Sequence, residues 1–133
     1  MNIRQADGVR DYLSAWIIGN LTRTYNPSVQ WDEKDAPFTD KNNGVLYCQQ
    51  SGLPVDAYVR QSSVEISMFG KANAERADQD NLFNDATLAL EYIKANPNIN
   101  ENLIATVTQD VTGPFYTKQN RIYYRFSVLT FSE

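Results

Sequence analysis

Apolar residues near the start of the chain recur three and four positions apart, at Ala6, Val9, Leu13, Trp16, Ile17 and Leu21. That spacing lines them along one stripe and predicts an amphipathic helix over Ile3–Leu21. Asn2 followed three residues later by Gln5 has the form of a capping box, and Gly19-Asn20 with Pro27 beyond supplies the stop. Gly8 lies inside the pattern and weakens the first turn by about 1 kcal/mol relative to Ala. A second stripe joins Leu82, Phe83, Ala86, Ala89, Leu90 and Ile93. It predicts a second helix, with Asn73 as its cap and Asp78, Asp80, Asp85, Glu91 and Lys94 off the apolar side. Pro97 cannot continue that helix and ends it.

Elsewhere the period is two. "VLYCQQ" reads as a strand, Ser51-Gly52-Leu53-Pro54 as a turn, and "DAYVRQSSVEISMFG" as a long strand. In the latter, Val64, Ile66 and Met68 alternate with Glu65 and Ser67, and Ser62-Ser63 marks a bulge. Two more strands follow the second helix, "NLIATVTQDV" and "RIYYRFSVLTF", joined by a loop "TGPFYTKQN" with two exposed aromatics, Phe115 and Tyr116. The stretch from Tyr25 to Gly44 is polar and turn-rich, an irregular acidic loop around 26–43, with "VQW" as one short strand. Asn43-Gly44 is the strongest hairpin signal, since both residues tolerate the positive φ of a type I′ turn.

These elements make one α+β domain over residues 1–133, in the order α-β-β-α-β-β. The economical packing is a single mostly antiparallel sheet of four to five strands with two helices on one face. The last strand then raises a difficulty, because both its faces carry large apolar groups. Ile122, Tyr124, Phe126 and Val128 are expected under the helices. Tyr123, Arg125, Leu129 and Phe131 point the other way, onto a face that two layers leave bare. Either copies of the chain cover that face, or its own segment "WDEKDAPF", with Trp31 and Phe38, folds across it.

Composition narrows the chemistry. The chain has 133 residues, 16 acidic and 12 basic, for a net charge of −4. That balance argues against a general grip on nucleic acid, which needs a basic face. Histidine is absent and Cys48 is the one cysteine, so Ser-His-Asp and Cys-His sites and zinc sites have no ligands or base to use. Cys48 reads as an inert buried thiol. The carboxylates Asp32, Glu33, Asp35, Asp78 and Asp80 sit on predicted loops or polar helix faces, where acids are solvated rather than catalytic. Gly70-Lys71 lacks the rest of a phosphate loop, and "KQNRIYYRF" lacks the glycine punctuation of RNA-binding sheets. No cofactor or metal is implied, and no membrane span or signal peptide is expected, so the product is expected in a reducing cytoplasm.

The order and texture of the segments resemble the tail terminator proteins of long-tailed bacteriophages. The resemblance is carried by the N-terminal amphipathic helix, the acidic proline-containing loop, the pair "GVLYCQQSGLPVDAYVRQSSVEISMFG", the long helix "NAERADQDNLFNDATLALEYI" and the terminal pair ending in "NRIYYRFSVLTF". It implies a non-enzymatic α+β subunit of a homo-oligomeric ring, a hexamer, in the neck-proximal tail of the virion. Such a ring binds the end of the tube made by the major tail tube protein and stops its growth. It then meets a head-tail connector or head completion protein, with DNA as passing cargo only. On this reading Tyr123, Arg125, Leu129 and Phe131 are the candidate subunit interface, and Trp31, Phe38, Phe115 and Tyr116 the candidate tube or neck contacts. Another neck component shares these features, and a small nucleic-acid-binding module is the alternative from a different class.

Overall fold

In the computed structural model, which describes residues 5–29, 31, 38–39, 41–51 and 60–132, both predicted stripes are helices. Helix α1 (Gln5–Asn20) buries Ala6, Val9, Leu13 and Ile17, and α2 (Arg76–Ala95) buries Leu82, Ala86, Ala89, Leu90 and Ile93. Trp16 and Tyr12 lie half-buried on the flank of α1 that meets α2, stacking on Tyr92 at ring separations of 4.9 and 5.3 Å. Phe83, expected on the inner stripe, is instead 43% exposed and touches the edge of Tyr124.

Helix starts differ from expectation. The proposed cap Asn2 lies outside the described residues, and the Gln5 side chain is engaged elsewhere: it accepts from Thr130 Oγ1 at 2.7 Å and donates to Ser132 Oγ at 2.5 Å. Asn73 does not cap α2 but takes the left-handed conformation, φ 58°, that Asn tolerates in a turn. Glu75 precedes the helix, and its N–H donates to the Asp78 side chain at 3.1 Å. Asp78, with Lys71 at 3.5 Å, therefore serves the helix start rather than sitting idle in solvent.

The sheet has six strands rather than four or five: β1 (Tyr25–Ser28), β2 (Gly44–Ser51), β3 (Arg60–Phe69), β4 (Asn98–Asn100), β5 (Leu103–Tyr116) and β6 (Ile122–Ser132). Their spatial order is β1-β2-β3-β6-β5-β4, and every pairing is antiparallel except β1 with β2. That parallel pair overturns the Asn43-Gly44 hairpin. Gly44 opens β2, and its N–H donates to Thr24 O at 2.9 Å. A Cβ there would lie 2.4 Å from the Tyr25 ring and 2.8 Å from Phe69 O, so glycine is needed for close approach and not for a turn. Of "VQW", Val29 and Trp31 are not in a strand and Gln30 lies outside the described residues; the strand before it is Tyr25–Ser28. The Ser51–Pro54 turn falls largely outside the described residues, and β3 runs past Ser62-Ser63 in unbroken register without the expected bulge.

Register shifts occur in β5 instead, between Val107, Gln109, Thr112 and Phe115. The segment read as a loop from Thr112 to Tyr116 belongs to this strand, with Gly113 at φ 135°, a conformation side chains disfavour, and a cis Gly113–Pro114 bond. The turn proper is Thr117–Arg121. There the Thr117 hydroxyl accepts from the N–H groups of Gln119 and Arg121, and Asn120 supplies a left-handed residue.

Both helices pack on one face. Beneath them the rows Leu46–Met68–Tyr124, Cys48–Ile66–Phe126 and Val64–Val128 are buried or half-buried, each fully buried aliphatic or aromatic side chain contributing about 1.5–3 kcal/mol. This is the inward assignment expected for Ile122, Tyr124, Phe126 and Val128.

Candidate functional site

On the sheet face away from the helices, register brings Val45, Phe69, Tyr123 and Phe115 into one row. Trp31 lies across this row, with ring centroids 5.3 Å from Phe69 and 5.2 Å from Tyr123, and Phe38 stands 4.9 Å from Phe69. The chain's own Trp31 and Phe38 thus seal this end of the second face. Tyr123, expected on a bare face, is 8% exposed inside a small aromatic cluster, and of the two expected contact residues Phe38 is buried over it and Trp31 half-buried. Rings in edge-to-face contact shield one another from water, so no second copy is needed here.

Arg125 occupies the next row. Its guanidinium lies 5.5–5.8 Å from the Tyr123, Phe115 and Trp31 ring centroids, with Glu65 at 3.8 Å. Its Nε is buried without a hydrogen-bond partner among the described residues. Further along, Ser127 is buried beside Gln109, while Leu129 and Phe131 are only half-buried and Ile104 beside them is 46% exposed. Phe115 and Tyr116 are 38% and 60% exposed, as expected, although on a strand rather than a loop.

A polar site that the sequence pattern hid lies at the other side of the sheet. Asp85, placed by the pattern on the polar side of its helix, is 1% exposed. Its carboxylate accepts from Arg23 Nε at 2.5 Å, from a second Arg23 nitrogen at 2.6 Å and from Tyr25 Oη at 2.6 Å. The bonds from Asp85 hold Arg23 protonated beyond its ordinary range, and burial pushes the Tyr25 phenol up. With three donors on a buried carboxylate, the arrangement pins the end of α1 and β1 to α2. A polar cleft of about 250 Å³ opens beside it, between Arg23, Asn43 and Lys71.

Arg121, which is buried, also has a fastening role. Its Nε donates to Gly70 O at 2.6 Å, another nitrogen donates to Asn43 O, and its plane lies 5.4 Å from the Phe38 ring centroid. Cys48 is half-buried, and the burial of its thiol pushes it up, away from the thiolate form. Among the described residues no group of three or more His, Cys, Asp or Glu side chains is placed to hold a metal ion, and no helix is long and apolar enough to cross a membrane.

Exposed apolar surface collects at the two lateral flanks of the sheet. Among the described residues, the large apolar side chains left in solvent are Ile18 and Val29 on the α1–β1 flank, and Phe83, Leu88, Ile104, Phe115 and Tyr116 on α2 and β5. Both flanks are stepped. Strand β1 covers only the first half of β2, leaving a groove of about 590 Å³ between Arg10 of α1 and Cys48–Gln50. Strand β4 covers only the beginning of β5: beyond the Ala105 N–H bond to Pro97 O, no described strand pairs with the outer edge of β5. A groove of about 480 Å³ follows that edge from Ala105 to Asp110, under Lys94 at the end of α2. Neither a protein-family model nor a curated protein matches this chain.

Proposed function

We propose that this chain is a structural subunit of a ring, hexameric in the family it resembles, that caps the tail tube of a long-tailed bacteriophage and joins it to the head. Its partners on this reading are further copies of itself, the tail tube protein on one rim and a connector protein on the other, with DNA passing through the centre. One observation carries the reading. A cyclic head-to-tail array needs two different contact patches on each subunit, because patch and partner patch are never the same surface. The large apolar side chains left in solvent among the described residues fall on two sides, Ile18 and Val29 by α1 and β1 and, across the sheet, Phe83, Leu88, Ile104, Phe115 and Tyr116 on α2 and β5. Apolar and aromatic side chains of this kind are enriched in the cores of subunit contacts.

The sheet's second face supports the reading less than its composition promised, since Trp31 and Phe38 close the Tyr123 end within one chain. The contacts are therefore assigned to the flanks. Mixing the purified chain with polymerising tail tube protein from its own virus tests the function. Tubes that stop elongating and carry rings at one end under the electron microscope are the expected result. Tubes that elongate unchanged, with no chain bound at either end, would refute it.

A further inference from the structure

We infer that copies of this chain join edge to edge, the α1–β1 flank of one copy seated on the α2–β5 flank of the next. This inference rests on the ring reading and names its joint. A long open edge beside a groove is a place for another extended segment. Along β5 the stretch that no described strand pairs runs from Val107 to Tyr116, and the groove under Lys94 lies at its lower end. The segment of the neighbour that fits is β1, four residues long and already the outermost strand of its sheet.

Three features select β1 of a second copy as the occupant. Through the register β1–β2–β3–β6–β5, Ser28 lies level with Tyr47, Ser67, Arg125 and Thr112, so β1 stands at the end of the sheet where β5 is open. Strand β4 occupies the opposite end of the β5 edge, at Leu103 and Ile104, and so does not compete for the same place. The apolar side chains also correspond: at that level Val29, 81% exposed, falls opposite the half-buried Val111, and Pro27 opposite Gly113-Pro114, next to the exposed Phe115 and Tyr116. Strand β1 runs with β2 and β5 runs against it, so the junction would be antiparallel. Pro27 and Pro114 lack an N–H, which makes the upper part of the contact packing rather than ladder.

Two variants damage the two halves separately: Val29→Asp and Tyr116→Asp, both at positions where the side chain is in solvent, with folding confirmed by circular dichroism. Native mass spectrometry across a concentration series reads the oligomers. Each variant alone is expected to need about ten-fold or more protein to assemble. An equimolar mixture of the two should give heterodimers, because each retains one intact half, and a head-to-tail contact alone has this property. Leu129→Asp, on the sheet's second face, should assemble as the unaltered chain does. If the unaltered chain assembles but Leu129→Asp blocks it while the two flank variants do not, the joint is wrong and the ring survives. If the unaltered chain stays monomeric at millimolar concentration, both are overturned.

Discussion

Replacing Arg23 with alanine is expected to cost far more stability than its position would suggest. Arg23 is 42% exposed at its side chain, and exposed ion pairs are generally worth about 0–1 kcal/mol. Its partner Asp85, however, is 1% exposed, and Arg23 supplies two of the three hydrogen bonds to that carboxylate. Removing Arg23 leaves a buried carboxylate with the Tyr25 hydroxyl alone, and stripping one partner from a buried pair costs about 3–5 kcal/mol. Water entering through the neighbouring cleft reduces this, so about 2–4 kcal/mol is expected for Arg23→Ala. Asp85→Ala should cost a similar amount, because it leaves the Tyr25 hydroxyl buried without its acceptor. The double variant should then be little worse than either single one. Urea denaturation of all three, analysed as a double-mutant cycle, measures the coupling directly. An Arg23→Ala loss below about 0.5 kcal/mol, or simple additivity in the cycle, would refute the idea that Arg23 neutralises Asp85.

Other consequences are checked by the same melts. Phe126→Ala, at a fully buried position under the helices, should cost about 3–5 kcal/mol in urea denaturation. Gly44→Ala should cost about 1–3 kcal/mol, since its Cβ would meet the Tyr25 ring at 2.4 Å; an unchanged melting temperature would contradict the close approach. Tyr12 is pushed up to about 12 by burial and by Tyr92, above the ordinary phenol range. A raised pKa gives stability that is intact below the unfolded value and lost as pH rises through the folded one. Unfolding free energy should therefore fall between about pH 10 and pH 12. The fall should be smaller in Tyr12→Phe, as read by denaturation at stepped pH.

Much of the α+β frame was legible because its long elements carry strong periodicity. The stripes of α1 and α2, the alternation of Val64, Ile66 and Met68, and the inward set from Ile122 to Val128 all follow from spacing alone. What escaped were short or irregular pieces. Strands β1 and β4 contain Pro27, Asn98 and Asn100, residues that signal turns, and they exist because a neighbouring strand offers them a ladder. Asn43-Gly44 has the local chemistry of a turn, while the contact that requires Gly44, the Tyr25 ring, comes from another strand. Asp85 lies three residues after Leu82 and four before Ala89, on the margin of the buried stripe, and that spacing was the available sign. Its partners Arg23 and Tyr25 follow α1, 62 and 60 residues earlier in the chain, a coincidence no local pattern contains. The second face was half legible: its aromatic character is plain in the sequence, but only the fold brings Trp31 and Phe38 onto Tyr123.

Strand β6 sits between β3 and β5 although it is translated after both. A nascent chain that has emerged only as far as Tyr116 therefore has two sheet halves and nothing to join them. The inner edge of β3, with Val64, Ile66 and Met68, stays open until Ile122–Ser132 leaves the ribosome and slots into the gap. The same late strand brings Thr130 and Ser132 to Gln5, so the first helix is fastened only when the last strand is in place. The sheet thus cannot close before β6 has been made, and until then the facing edges of β3 and β5 stand open to any other extended chain.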